Sequence, residues 1–390
     1  MLAMQSRGTE GELPSGGDAA ASPDWPSSWL GLERGHLERA CDELGVSRVH
    51  ARTLLGNTHR LRLARPWEDR SLPAALVAAL ASRFPLAIPE IRDERRSTED
   101  GAIKLLLEPE GGAPPGDAIE SVLIPEAARL TLCVSSQIGC GRRCVFCHTG
   151  RMGLIRDLTS AEIVAQAYAV NRWLDAHPEW LAARGFRADR RVTNVVFMGM
   201  GEPLDNVPAV SSAVAILSDR SATAIPLRRI TVSTAGNLDG LEQLVAVWPA
   251  VRVALSLHAV DDRTRSGLMP INERWPLPEV TERLRRLSEA QGQPIFVQYT
   301  LLAGVNDSAG HAAQLAEWTR QIPRVKVNLI PFNPFPGSRL APPDDETVAQ
   351  FRAVLHRAGL RVMLRHSKGR DIAAACGQLA FATGAAAARA

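Results

Sequence analysis

Six short apolar runs recur through the later two-thirds of this 390-residue chain, each separated from the next by a segment of helical spacing. The runs are RLTLCVS at 129–135, VTNVVFM at 192–198, RRITVST at 228–234, VRVALSL at 251–257, IFVQYTLL at 295–302 and VKVNLIP at 325–331. Helix-like stretches lie between them, near 159–175, 207–218, 237–247, 277–290 and 309–320. Strands that are apolar almost throughout are buried on both faces, and intervening helices make the connections long enough for parallel pairing. The pattern predicts a parallel sheet covered by helices, either doubly wound or curled into a full or partial barrel. In such folds ligands collect beyond the C-terminal ends of the strands. The chemically unusual residues follow those ends: Cys140 after the first run, Gly201-Glu202-Pro203 after the second, Ser233 at the third, Ser256 and His258 at the fourth, Asn333 after the sixth. Their agreement favours the barrel.

No apolar run approaches the ~18 residues of a membrane span, and the N-terminus lacks the basic-then-apolar layout of a secretory signal. The chain is therefore expected in the cytoplasm, away from membranes. Of its six cysteines, Cys133, Cys140, Cys144 and Cys147 fall within fifteen residues. In a reducing compartment such clustering argues for metal or redox chemistry over a disulfide framework. The spacing C-x3-C-x2-C puts three soft ligands in one loop, which suits an iron–sulfur cluster or zinc. Structural zinc usually takes four protein ligands, and the adjacent fourth donor, His148, sits directly beside Cys147, where simultaneous chelation is strained. A cluster held by three thiolates keeps one iron open to an external ligand, as a catalytic cluster requires. Glycines in FMGMGEP at 197–203 let backbone approach a ligand, and Glu202 can accept from an ammonium. Cys41 shares an apolar stripe with Leu37, Ala40 and Leu44 and reads as a buried small hydrophobe.

Residues 1–25 are rich in Gly, Ser, Ala and Pro and read as a disordered tail. Residues 28–92 read as a small helical accessory domain, expected to contact RNA, carrying Arg48, Arg52, Arg60, Arg62 and Arg65. Residues 93–127 form a linking β-hairpin, with strands at 102–108 and 118–124 around the turn GGAPPGD. The barrel with a C-terminal extension carrying Cys376 occupies 128–380, and 381–390 are a flexible tail. A net charge of +3 is too small to imply a nucleic-acid partner by itself. Basic residues do cluster, with Arg142, Arg143, Arg151 and Arg156 around the cysteine loop and Arg361, Arg365, Lys368 and Arg370 before Cys376. That distribution is compatible with phosphate tracking.

The cysteine loop, with an aromatic before its last Cys, resembles the signature of radical S-adenosylmethionine (SAM) enzymes. Taken with CVSSQIGC at 133–140, GMGEPLDN at 199–206, RRITVST, SLH at 256–258, PIN at 270–272, NLIPFNPFPGS at 328–338 and AACGQLA at 374–380, the chain resembles the RlmN/Cfr family of radical SAM RNA adenosine methyltransferases over about residues 36–380. The resemblance implies an α/β fold, a partial (β/α)6 radical-SAM barrel with a small N-terminal helical domain. It implies that Cys140, Cys144 and Cys147 hold a [4Fe-4S] cluster, and that Gly201, Glu202, Ser233, Ser256, Leu257, His258 and Asn333 contact SAM. Cys376 would be the methylated cysteine, Cys133 its redox partner in a disulfide bond, and Glu120 the proton acceptor. Implied partners are RNA, namely 23S rRNA and tRNA, and an electron donor such as a flavodoxin-type reductant.

The same resemblance supplies a route. The C2 and C8 positions of adenine are electrophilic, so a SAM methyl cannot be transferred to them directly. One SAM instead methylates Cys376, and a radical made from a second removes hydrogen from the new S-methyl group. The carbon radical adds to adenine, a base takes the ring proton, and Cys133 attacks the Cys376 sulfur to release the product. Extrusion of the base favours a loop adenosine over a duplex one. His148-Thr149-Gly150, Leu154, Leu268–Asn272 and Gly304–Asp307 read toward the C8-methylating branch, and NPFPGS at 333–338 toward the C2 branch, which is the expectation. Two other classes compete: a radical enzyme acting on a small molecule, which has no use for the Cys133/Cys376 pair, and a zinc-stabilised RNA-binding protein, which has none for the Gly-Glu-Pro segment.

Overall fold

The computed structural model describes residues 25–109 and 117–380. Helical spacing of apolar residues folds the N-terminal part into α1 (Arg34–Glu43), α2 (Val49–Leu55) and α3 (Ala74–Ala81). Cys41 lies on the inner stripe of α1 and is fully buried. An antiparallel run follows: β1 (Glu90–Arg96), β2 (Ile103–Glu108), β3 (Ile119–Glu126) and β4 (Arg129–Val134). Strands β2 and β3 are the predicted hairpin, whose turn lies largely outside the described residues. The sequence pattern does not mark β1, because EIRDERR carries charges on an exposed edge strand, where they discourage pairing with another chain.

The parallel part begins at β4. After it come β5 (Gln137–Cys140), α4 (His148–Met152), β6 (Gly153–Asp157), α5 (Ser160–Ala176), α6 (Pro178–Ala182), β7 (Asn194–Phe197), α7 (Val207–Ser218), β8 (Ile230–Thr234), α8 (Leu238–Val247) and β9 (Arg252–Ser256). The chain continues through α9 (Asp262–Leu268), α10 (Leu277–Gln291), β10 (Ile295–Leu301), α11 (Ala309–Thr319), β11 (Val325–Pro331), α12 (Asp345–Arg357) and β12 (Val362–Leu364). The sheet order is β1-β2-β3-β4-β7-β8-β9-β10-β11-β12, parallel from β4 onward, with β5 and β6 forming a separate antiparallel pair. The six predicted strands are β4, β7, β8, β9, β10 and β11. Six β–α units end in a short seventh parallel strand, β12, and the two edges β1 and β12 stay unpaired, so the barrel is partial.

The N-terminal helices are built into this core. Trp29, Leu37, Cys41 and Leu54 belong to the same continuous apolar cluster as the barrel strands. Leu30 packs on Ala161, Ala165 and Tyr168 of α5. Trp25, which the sequence reading assigns to the disordered tail, stacks on Phe84 with ring centroids 5.6 Å apart and lies under Arg39 and Arg83. Residues 1–24 and 381–390 lie outside the described residues. The arginines of the helical domain are mostly used within the protein. Arg62 pairs with Asp175 at 2.7 Å, Arg48 with Asp42, Arg65 with Glu68, and Arg60 donates to the Arg220 carbonyl at 2.5 Å. Among the described residues no helix is long and apolar enough to cross a membrane.

Candidate active site

The β5–β6 hairpin sets the cysteine loop. At Gly139 φ is +72°, and a Cβ there would stand 1.9 Å from the Gly153 carbonyl oxygen, so only glycine lets the two strands close. The loop leaves β5 at Cys140, turns through Arg143 at φ +54°, and enters α4 after Cys147. All three thiols line one pocket at the C-terminal ends of the parallel strands. Burial pushes Cys140 up to about 12 and raises Cys144 and Cys147 too. Buried thiols without a cationic partner stay neutral, and a bound cationic centre reverses that.

Among the described residues no three His, Cys, Asp or Glu side chains converge on a single ion position. Zinc needs donors meeting at about 2.0–2.3 Å from one point. A cubane cluster takes each thiolate on a different iron, so its ligands stand apart around a volume. Three thiols lining one pocket are a soft donor set that fits an iron–sulfur cluster with one iron left open to an external ligand.

Around the same pocket stand Gly201, Glu202, Ser233, Ser256, His258 and Asn333. Glu202 is buried, and its two carboxylate oxygens accept from the Leu204 N–H at 3.1 Å and the Ala235 N–H at 2.7 Å, fixing its plane. The glycines beside it answer to the protein as well as to a ligand. A Cβ on Gly199 would lie 2.7 Å from the Val134 carbonyl, and Gly201, at φ +98°, would place one 2.5 Å from Gln137 Cβ. His258 also adopts positive φ, at 59°. Its Nδ1 accepts from the Thr300 N–H at 2.9 Å, and its ring meets Phe146 edge-on at 4.5 Å. Burial, then Arg265, holds its pKa down at about 3, so the imidazole is neutral. The side chain of Leu257 is not brought to the pocket. It is fully buried, and the Leu257 carbonyl accepts from Arg265. Asn333 spends its amide N–H groups on Ser367 Oγ at 2.9 Å and the Cys376 carbonyl at 3.1 Å.

Cys376 is exposed at the pocket rim, and the chain beside it is tied to the cysteine loop. The His148 N–H donates to the Gly377 carbonyl at 2.7 Å and Thr149 Oγ to the Leu379 carbonyl at 2.5 Å. Cys133, on β4, is 8% exposed, and its thiol is pushed up by burial and further by the neighbouring Cys376. The disulfide implied for this pair is absent: all six cysteines are free thiols. Glu120 lies in an adjoining cavity with Lys104, His148, Phe335 and Gln378. Burial raises its pKa, opposed by Lys104.

The sequence reading misses Phe146, Met269, Gln298 and Thr300 as lining residues, and Lys104. Gln298 carries a signal, a polar residue inside the apolar run of β10, and its Oε1 is buried without a partner. Of the basic residues around the loop, Arg142 pairs with Asp205, Arg156 with Asp117 and Glu162, and Arg151 donates to the Gly337 carbonyl. Arg361, Arg365, Lys368 and Arg370 are exposed and make no ion pair among the described residues.

A partial β/α barrel with a three-thiol loop after its first parallel strand defines a radical SAM enzyme, whose chemistry uses a [4Fe-4S] cluster and SAM. Residues 134–316 match the model of the radical SAM superfamily. The dual-specificity RNA methyltransferase RlmN of Xanthobacter autotrophicus is 41% identical, the alignment covering 97% of this chain and 94% of that one. Its counterpart from Caulobacter vibrioides is 45% identical over 77% of this chain and 72% of its own. The crystal structure of a radical SAM methyltransferase from Sphaerobacter thermophilus superposes with a TM-score of 0.80 at 37% identity, covering 90% of this chain and 99% of that one. The chain belongs to the RlmN family.

Proposed function

We propose that this enzyme methylates RNA at C2 of adenosine, in 23S rRNA and in tRNA, through a methylcysteine formed on Cys376. The observation that carries this reading is the placement of an exposed thiol on the rim of the three-cysteine pocket, on a segment hydrogen-bonded to the cysteine loop itself. When bound, the cluster supplies one-electron reductive cleavage of SAM to a hydrogen-abstracting radical. Cys140, Cys144 and Cys147 would hold it. Glu202, held by two backbone N–H groups, has lone pairs left for the SAM ammonium. Gly201, Ser233, Ser256, His258, Asn333 and the Leu257 backbone complete the proposed SAM contacts.

Cys376 accepts the methyl group, Glu120 takes the ring proton, and Cys133 attacks the Cys376 sulfur. Burial of the Cys133 thiol supports its late role, because a neutral thiol does not compete with exposed Cys376 for the first methyl. The NPFPGS segment supports C2, and the naming of the relatives as dual-specificity enzymes supports a second RNA substrate. The unpaired Arg361, Arg365, Lys368 and Arg370 beside Cys376 support RNA docking there, with an electron donor of the flavodoxin type serving the cluster in the cytoplasm.

The test is Cys133→Ala against Cys376→Ala. Cys133→Ala should accumulate protein linked to RNA, seen as a ribonuclease-sensitive slow band on denaturing electrophoresis, whereas Cys376→Ala should give neither adduct nor product. Free methylated RNA from Cys133→Ala at the wild-type rate, without added thiol, would remove Cys133 from the reaction. Hydrolysed RNA containing 8-methyladenosine in place of 2-methyladenosine would overturn the regiochemistry.

A further inference from the structure

One buried ion pair has no part in the pocket of the three cysteines. Register pairs Lys104 of β2 with Val122 of β3 and Leu106 with Glu120, so Lys104 and Glu120 are diagonal neighbours on one face of the antiparallel pair. Lys104 Nζ stands 2.9 Å from Glu120 Oε1, with side chains 7% and 4% exposed. The ammonium also donates to the Ala373 carbonyl at 3.1 Å, on the segment that carries Cys376. Glu120 Oε2 is buried without a full hydrogen bond. The carboxylate faces the cavity shared with His148 and Phe335, whose rings stack at 4.9 Å.

We propose that Lys104 is a positioning residue of the methylation reaction: it keeps Glu120 ionised in a desolvated cavity and fixes that carboxylate against the Cys376 segment, leaving Oε2 free to take the ring proton. The inference rests on the reading of Glu120 as proton acceptor. A carboxyl group buried in apolar surroundings prefers its neutral form, and a neutral acid cannot accept a proton. An ammonium in direct contact opposes that preference and is the largest influence holding the carboxyl toward its ionised form. Of the other charged or titratable groups facing Glu120, Arg95 of β1 also favours the ionised form, after Lys104. Asp93 and Arg95 of β1 pair with one another at 3.0 Å near solvent, and His148 of α4 is held toward its neutral form by partial burial. In the step itself the adenine C–H bond breaks, its electron pair stays on the ring carbon, and the proton passes to Oε2. The unpaired electron left on the adduct would pass to the oxidised iron–sulfur cluster, the one-electron acceptor of the reaction.

The experiment compares Lys104→Met, Lys104→Arg and Glu120→Gln in the full chain, measuring the ratio of RNA-linked protein to released product from pH 6 to 9. Lys104→Met should release product on the order of a hundredfold more slowly at neutral pH, with adduct accumulating. Release should recover as pH rises and Glu120 ionises unaided. Lys104→Arg should keep the wild-type profile, and Glu120→Gln should show no recovery at any pH. If Lys104→Met does not fold, Lys104→Gln takes its place with the same expectation. Wild-type release and pH profile in Lys104→Met, while Glu120→Gln accumulates adduct, would overturn the role of Lys104 alone. Wild-type release from Glu120→Gln would overturn the proton-acceptor reading and this inference with it.

Discussion

His59 is enclosed in the helical domain with its Nε2 unpartnered, and burial drives its pKa down to about 4. The unfolded chain takes up a proton near pH 6.5, whereas the folded one refuses it until about pH 4. Stability is therefore lost as pH falls through that window, by on the order of 3 kcal/mol in total. Urea unfolding between pH 4 and 7 should show this slope, and His59→Leu should flatten it by one proton; an unchanged slope would contradict the burial argument. In the proposed SAM site, Glu202→Gln replaces one acceptor oxygen with a donor where Leu204 and Ala235 already present N–H groups. The buried amide cannot satisfy both and loses its charge for the SAM ammonium, so SAM affinity should fall on the order of tenfold or more. Equilibrium dialysis with labelled SAM measures it, and unaltered affinity would move the ammonium contact elsewhere.

The β5–β6 hairpin is the element on which the cysteine loop depends, and its two glycines make a controlled pair. Both have φ above +70°, yet a Cβ on Gly139 meets the Gly153 carbonyl at 1.9 Å, whereas one on Gly153 meets nothing within 4 Å. Gly153, at φ 73° and ψ 175°, lies in a region nearly reserved for glycine, so Gly153→Ala should cost backbone strain of about 1–3 kcal/mol but meet no clash. Gly139→Ala must push the strands apart and displace Cys140. After anaerobic reconstitution, Gly153→Ala should bind about four irons and Gly139→Ala far less, with similar far-UV circular dichroism; equal iron in both would sever the hairpin from the loop. The five helices between the six apolar runs were legible because their caps and periodicity are local, whereas α12 (Asp345–Arg357) was not read. Thr159 and Glu162, for example, form a reciprocal capping box at the start of α5. Strands β1 and β12 were not, since a charged edge and a three-residue strand gain their pairing from neighbours that the local sequence does not reveal.

At the scale of the molecule, the helical domain and barrel share one apolar core, and this changes what truncation should do. As an accessory domain appended for RNA contact, residues 28–92 would be removable with SAM cleavage left intact. In the structure, removing residues 1–92 cuts into β1, strips Trp29, Leu37 and Leu54 from the core, bares Ala161 and Ala165 on α5, and breaks Arg34–Asp219 and Arg62–Asp175. The truncated chain should melt at markedly lower temperature or aggregate, as calorimetry and size-exclusion chromatography would report; a monodisperse product with the full-length Tm would contradict the shared core. By itself the sequence determined six β–α units, the three-cysteine loop and the Gly-Glu-Pro exit, because strand and helix periodicity and ligand spacing are properties of neighbouring residues. Only the tertiary structure decided that Thr149 and Leu379, 230 residues apart, hold Cys376 beside that loop. It alone joined Lys104 to Glu120, tied Arg62 of the helical domain to Asp175 of α5, and kept the Leu257 side chain from the pocket. Which face of a strand meets a cavity, and which distant segment closes over it, follows from how all the elements pack together, and no local pattern of residues carries that information.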